Sequence, residues 1–170
     1  MIELAENTVR DRFKCAMRRL TSTVTIVTAE YGGRRHGMVA TAVCSLGIDP
    51  PSLIASVAHT ASLHSPLLTS GRFCVNLLTL SQADLVPVFS GQRSGEARFQ
   101  CGIWDGHELG PPVLRNAQAS LLCDVEATLC YASHTVILGR VIDVHVANAV
   151  EPLLYHDGSI AAAHPVRPER

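Results

Sequence analysis

The 170-residue sequence predicts a mostly β protein, a largely antiparallel β-barrel with a few short helices. Three observations predict it. Six or seven apolar, β-branched runs are bounded by Gly, Pro, Asn and Asp turn signals. Helical periodicity is confined to short segments. The first strands are joined too tightly for the crossover helices that a doubly wound parallel sheet needs. The length suits a single domain spanning residues 1–170, with a core over about 9–158 and a C-terminal tail over 159–170.

Asn7-Thr8 can cap a first helix through Arg10, Phe13, Met17 and Leu20, which recur at helical steps. Residues 23–28 alternate β-branched side chains, which puts Val and Ile on one face of a first strand. Tyr31-Gly32-Gly33 reads as a hairpin turn into a second strand over 36–45, ended by Asp49-Pro50-Pro51 because proline cannot donate to a ladder. A third strand covers 52–57. Residues 62–69 form a short helix closed by Gly71, and 73–78 a fourth strand. Ser81 caps a helix from Gln82 to about Phe89. Residues 90–112 turn rich in Gly, Arg and Pro, the composition of a long functional loop. Two long strands, about 119–131 and 135–146, precede a short one over 152–155.

Fourteen basic side chains against fifteen acidic ones leave a formal net charge of -1, which removes the electrostatic case for nucleic-acid or polybasic membrane binding. No apolar run reaches the roughly 20 residues of a spanning helix. The six cysteines (15, 44, 74, 101, 123 and 130) contain no C-x-x-C pair, and most lie in apolar runs such as those around Cys44 and Cys74. With a charged, polar start rather than an apolar leader, they read as buried, reduced thiols of a cytoplasmic protein. The eight histidines are scattered, so no metal site is expected.

Dinucleotide-binding G-x-G-x-x-G, phosphate-loop, G-x-S-x-G and H-E-x-x-H motifs are absent. Two segments are unusual. Residues 37–45 form a strand of small side chains, including Val39, Ala40, Thr41, Ala42, Val43 and Ser45. Small residues let a flat ligand approach the backbone; equally, they let a central strand pack tightly beside a helix. Ala58, His59, Thr60, Ala61 and Ser62 lie between a strand end and a helix start. There the Thr60 and Ser62 hydroxyls suit either a phosphate or plain helix capping.

The residues also carry a resemblance. Ala40-Thr41-Ala42-Val43-Cys44-Ser45, Asp49-Pro50-Pro51-Ser52-Leu53, Ala61-Ser62-Leu63-His64 and residues 70–78 resemble the short-chain flavin reductases, the small partners of two-component aromatic monooxygenases. So do Phe89-Ser90-Gly91, Arg98-Phe99, Pro112-Val113-Leu114, residues 119–121 and 134–141, and Pro152-Leu153-Leu154-Tyr155, an ordered set covering about 9–158.

The resemblance implies a split β-barrel with Greek-key order, usually a homodimer. It further implies an NAD(P)H:flavin oxidoreductase that passes hydride from NADH or NADPH to FAD or FMN and supplies reduced flavin to a separate monooxygenase. On that reading residues 39–45 line the isoalloxazine, with Thr41 and Ala42 nearest its polar edge. Residues 58–62 hold the ribityl phosphate, and His134 lies near the nicotinamide. The phosphate loop lacks the usual basic residue unless His59 or His64 substitutes. An aromatic is also frequent in the family where this chain has Val43. Because both reacting atoms belong to cofactors, the absence of a nucleophile or triad is consistent with this chemistry. The alternative is a non-catalytic flavin- or haem-binding carrier or sensor on the same barrel.

Overall fold

β2 (Thr25–Tyr31), which follows β1 (Ser22–Thr23), is buried from Thr25 to Ala29, so both of its faces pack rather than one. Val27 and Ala29 enter one apolar cluster, while Val24 and Ile26 enter a second. The alternation places Val24 and Ile26 together, but the sheet is covered on both sides and Val27 serves the opposite layer. The computed structural model describes residues 8–106 and 110–164.

Among the described residues, β3 (Arg34–Ala40) pairs with β2 across the Gly32-Gly33 turn, where both glycines take positive φ. β4 (Val43–Ile48) and β5 (Pro51–Ala58) form a second hairpin around a cis Asp49–Pro50 peptide. β6 (Arg72–Leu77) follows α2 (His64–Ser70), which ends at Gly71 with φ 70°, the left-handed cap the sequence predicts. β7 (Trp104–Asp105) pairs with β8 (Val113–Leu114). The long strands β9 (Ala119–Tyr131) and β10 (His134–Val146) form the third hairpin. β11 (Leu153–His156) and β12 (Ser159–Ala162) join β1 in a three-stranded sheet, so the expected tail begins with a paired strand.

The main sheet has seven antiparallel strands in the order β3-β2-β6-β9-β10-β5-β4. The single strand expected over 36–45 is therefore two strands at opposite edges, separated only by Thr41 and Ala42. The three residue steps from Ala40 to Val43 span at most about 11 Å, so the sheet must curl until its edges approach one another there. The Ala42 carbonyl accepts the Ser56 N–H at 3.0 Å as the chain changes edge.

The first core cluster lies between the sheet and α2, with Leu63 and Leu67 fully buried against Val57, Phe73, Val75 and Ile137. The second gathers Phe89, Phe99 and Leu114 around Val24 and Ile26, with Trp104 edge-to-face against Phe99 at 5.0 Å between ring centroids. Asn76, fully buried, ties the two sides together. Its Oδ1 accepts the Leu114 N–H at 2.8 Å and the Ser120 hydroxyl at 2.9 Å, and its Nδ2 donates to the Ile26 carbonyl at 3.1 Å. The Thr28 hydroxyl donates to the Pro112 carbonyl at 2.6 Å, fixing the return of the long loop.

Three expectations need correction. The helix expected from Ser81 is instead a 3-10 turn (Leu80–Gln82), a short α turn (Leu85–Pro87) and a wide turn through Gly91 at φ 125°. Its cap is Thr79, which forms a capping box with Gln82; Pro87 lacks the N–H that would continue a regular helix. The loop over 90–112 contains a 3-10 helix (Gly95–Gln100) as well as β7. The cysteines are all free, yet only Cys74 and Cys123 are buried, while Cys15, Cys44 and Cys130 are exposed.

α1 (Val9–Met17) is capped by Thr8, whose Oγ1 accepts the Asp11 N–H at 3.3 Å. It ends three residues before Leu20, and none of its residues is buried. Asn7, the other cap candidate, lies outside the described residues. No helix among the described residues is long and apolar enough to cross a membrane.

Candidate functional site

The bend between β3 and β4 opens a cavity of about 830 Å³, in the size range of small-molecule sites. Thr41, Ala42, Val43 and Ser45 line it, as the small-residue segment suggests. Val39 and Ala40 do not: Ala40 is buried in the first core cluster and Val39 packs against the second. The segment packs tightly up to Ala40, in an edge strand rather than the expected central one, and lines the cavity beyond it. The physical divide is the change of sheet edge at Thr41.

The cavity is mainly apolar, with hydroxyls at a few points. Ser52, Ile54 and Ser56 of β5 line it together with Leu53, which also enters the core, whereas Ala55 and Val57 stay on the core side of that strand. The alternation in Ser52-Leu53-Ile54-Ala55-Ser56-Val57 carries this signal, and sequence reasoning assigned neither serine. Leu20, Thr21, Ser22 and Thr23 close another side. A second cavity of about 680 Å³ lies under α1 and shares Leu20, Ser22, Thr41 and Ala42 with the first. Cys44 also lines the first cavity, which explains why a cysteine within an apolar run is exposed.

The segment 58–62 leaves the far end of β5. Its backbone is held by the His59 N–H donating to the Ser133 carbonyl at 2.9 Å and the Ala61 N–H donating to the Ala58 carbonyl at 3.0 Å. Neither Thr60 nor Ser62 caps α2, whose cap position is Leu63 with no side-chain bond. The capping explanation for these hydroxyls therefore fails. Ser62 Oγ instead accepts Arg98 Nη1 at 3.1 Å, from a residue 36 positions further along the chain. The rings of His59 and His64 pack in a tilted arrangement with centroids 5.1 Å apart, and His64 Nε2 lies 2.8 Å from the Thr135 hydroxyl.

His134 is exposed at the start of β10, paired in register with Ala58, and its Nδ1 lies 2.9 Å from the Ser133 hydroxyl. It stands beside the 58–62 segment and lines neither described cavity. Since Val43 pairs with Ala55 and His134 with Ala58, β5 is the rail connecting the candidate regions. Three residues of strand separate those registers by roughly 10 Å.

The surrounding charge is largely positive. Arg35 donates from its backbone and side chain to Glu96, at 2.6 to 2.9 Å, and these bonds hold the Glu96 carboxyl below its ordinary range. His36 is pushed down, first by burial and also by the charges of Arg34 and Arg98, against an opposing pull from Glu96. Among the described residues no three His, Cys, Asp or Glu side chains come together as a metal-ligand group.

The family described as "Flavin reductase like domain" matches residues 17–164 of this chain. The reductase component of an FADH2-dependent resorcinol hydroxylase from Rhizobium sp. is 40% identical over 164 residues, covering 95% of this chain and 92% of that protein. The RutF FMN reductase (NADH) of Pseudomonas syringae is 34% identical over 143 residues, covering 84% of this chain and 80% of that one. Among solved structures, the NADH:FAD oxidoreductase SgcE6 of Streptomyces globisporus superposes with TM-score 0.86 at 26% identity, covering 97% and 99% of the two chains. A flavin reductase domain protein from Arthrobacter sp. FB24 superposes with TM-score 0.87 at 26% identity, covering 95% and 99%.

Proposed function

We propose, from the premise that this chain belongs to the flavin reductase like family, that it is an NAD(P)H:flavin oxidoreductase supplying reduced flavin to a separate monooxygenase. The observation that carries this reading is the match over residues 17–164, which includes both unusual segments and His134. Relatives named as FMN reductases (NADH) and as the reductase component of a hydroxylase support NADH as donor, FMN or FAD as acceptor, and a hydroxylase as recipient. An aromatic compound is the substrate class proposed for that recipient. The proposed place of action is the cytoplasm.

The residues fit a flavin. The cavity beside Thr41 is apolar enough for a tricyclic ring, is walled by small side chains, and carries hydroxyls from Thr41, Ser45, Ser52 and Ser56 toward polar edges. When bound, flavin and nicotinamide supply the hydride chemistry themselves, at flavin N5 and nicotinamide C4. The work left to the protein is placement and exclusion of water. Thr41, Ala42, Val43 and Ser45 provide the wall for the ring. Ala58, His59, Thr60, Ala61 and Ser62 hold the phosphate, with Thr60 and Ser62 donating hydroxyl hydrogen bonds. His134 orients the nicotinamide carboxamide from the start of β10.

Curling of the seven-stranded sheet, with its edges meeting at Thr41-Ala42, supports a split-barrel architecture. The apolar side chains left exposed on α1 and β4, among them Phe13 and Ile48, support a homodimer. Purified protein given NADH and either flavin should bleach the nicotinamide absorbance band faster than a protein-free control. If neither nicotinamide with neither flavin is oxidised above that control, the assignment fails.

A further inference from the structure

The cavity under α1 carries charge at its rim that the fold does not use. Five of the chain's fourteen basic side chains, Arg10, Arg12, Lys14, Arg18 and Arg19, fall within ten residues on and just after α1. Lys14 and Arg18 line the cavity, and neither makes an ion pair or a side-chain hydrogen bond among the described residues. Of the two carboxylates at the rim, Asp11 is engaged by the Thr8 hydroxyl, which donates to its Oδ2 at 2.6 Å, and Asp157 pairs with neither cation. Arg18 is nonetheless held in place. A Cβ on Gly158 would overlap its Nη2 and stand 3.1 Å from its Cζ, so the guanidinium lies against a turn that only glycine keeps open. The Asp157 N–H donates to the Arg18 carbonyl at 3.0 Å, which fixes that turn to the end of α1.

Apolar and aromatic side chains complete the lining. Phe13, Met17 and Leu20 follow one another at helical steps and stay exposed, and Tyr155 of β11 adds a second aromatic ring. A flat ligand suits such walls, because a rigid ring loses little conformational freedom on binding. A guanidinium that is already positioned, with its planar fork unpaired, matches the two oxygens of a carboxylate. A volume of about 680 Å³ has room for one or two fused rings. Thr41 and Ala42 wall this cavity as well as the larger one, but Cys15 lines only this one and Cys44 only the other. Both thiols are exposed, so each cavity carries its own chemical marker.

We infer that the cavity under α1 is a second small-molecule site, for a planar aromatic carboxylate. Arg18 and Lys14 bind the anion, and Phe13, Met17 and Leu20 pack against the ring. The site is distinct from the flavin wall at Thr41–Ser45, and its occupation requires no flavin.

The test is protection of Cys15 from a thiol reagent, read residue by residue by mass spectrometry on the full chain, with 2-naphthoate as the probe and no flavin or nicotinamide present. Labelling of Cys15 should slow saturably while Cys44 and Cys130 react as before. Neutral 2-naphthol should bind about tenfold or more weakly than the carboxylate, as expected for loss of a charge-assisted bond. Arg18→Gln should weaken 2-naphthoate by about the same factor and leave 2-naphthol within about twofold. Arg18→Lys should recover part of the loss, and Phe13→Ala should weaken both probes. Thermal unfolding checks the folding of each variant, with Arg18→Lys, at an exposed position, the variant read if Arg18→Gln is unstable. Absence of saturable protection, equal protection of Cys44, or octanoate protecting as well as 2-naphthoate would overturn the site. So would protection of Cys15 by AMP at lower concentration than 2-naphthoate, which would assign the cavity to the nucleotide half of a cofactor. Slow labelling of ligand-free Cys15 that speeds up on dilution would place a second copy of the chain over the cavity, and would overturn it too. If FMN protects neither thiol while 2-naphthoate protects Cys15, the flavin reading is weakened and the second site stands.

Discussion

Cys123 and Cys44 show how differently one residue type is used in this chain. Burial first, and then the charge of Asp124, push the Cys123 thiol up to about 12; burial also raises Cys74. Both stay protonated and shielded at neutral pH, whereas Cys15, Cys44 and Cys130 are exposed. A thiol reagent should therefore modify three cysteines rapidly in the native protein and all six after denaturation, with FMN slowing the reaction at Cys44. Rapid native labelling of Cys123 would contradict its burial. A raised folded pKa adds stability that is complete below the unfolded thiol's pKa and is lost as pH climbs toward the folded value. Thermal stability should accordingly decline above about pH 9. His134 gives the second prediction at this scale. Its ring is exposed and its register partner Ala58 is held by backbone pairing, so His134→Ala should leave the fold and flavin affinity intact. The nicotinamide KM should rise or turnover fall, by about tenfold. Wild-type kinetics in that variant would make His134 an ordinary strand-end residue.

At the scale of elements, Gly139 governs how β10 crosses the core. A Cβ there would lie 2.5 Å from Phe73 Cζ and 3.2 Å from Cys123 Cβ, with Phe73 fully buried. Gly139→Ala should destabilise the protein by about 2 kcal/mol through overpacking, read as a lower denaturation midpoint with an unchanged slope. An unaltered midpoint would mean that the layer yields more readily than its packing implies. Strand order along the chain was legible because β-branched runs, Gly-Gly and Pro-Pro turns are local signals. The left-handed cap at Gly71 was legible for the same reason. The division at Thr41 was not, since 36–45 reads as one continuous run and only the non-local ladders to β2 and β5 separate its halves. Half of the small-residue wall was thereby visible in the sequence, while Arg98 was visible only as part of a resemblance. Its contact with Ser62 joins residues 36 positions apart, which no spacing rule connects. Pro87 and the Thr79 capping box similarly replaced a regular helix with successive turns.

At the scale of the whole molecule, some exposed apolar side chains gather on α1 and on the edge strand β4. Phe13 and Met17 of α1 line the second cavity, and Leu46 and Ile48 lie on the edge strand β4. Wild-type protein should sediment as a dimer. Ile48 is 88% exposed, so Ile48→Arg should cost the single chain little while shifting sedimentation toward monomer. A monomeric wild type would refute that assembly. The strand order β3-β2-β6-β9-β10-β5-β4 also prescribes a kinetic history for the chain. Three of its six ladders, β2 with β3, β4 with β5, and β9 with β10, are hairpins between sequence neighbours, which close in about 1–10 μs. The other three join β2 to β6, β6 to β9 and β10 to β5, far apart in sequence, and must await loop closure. Forming these three ladders means docking hairpins that can close first, two of the ladders through β6 and one between β10 and β5. The gap between β3 and β4 closes into a cavity only after that docking, so the cavity depends on the non-local ladders.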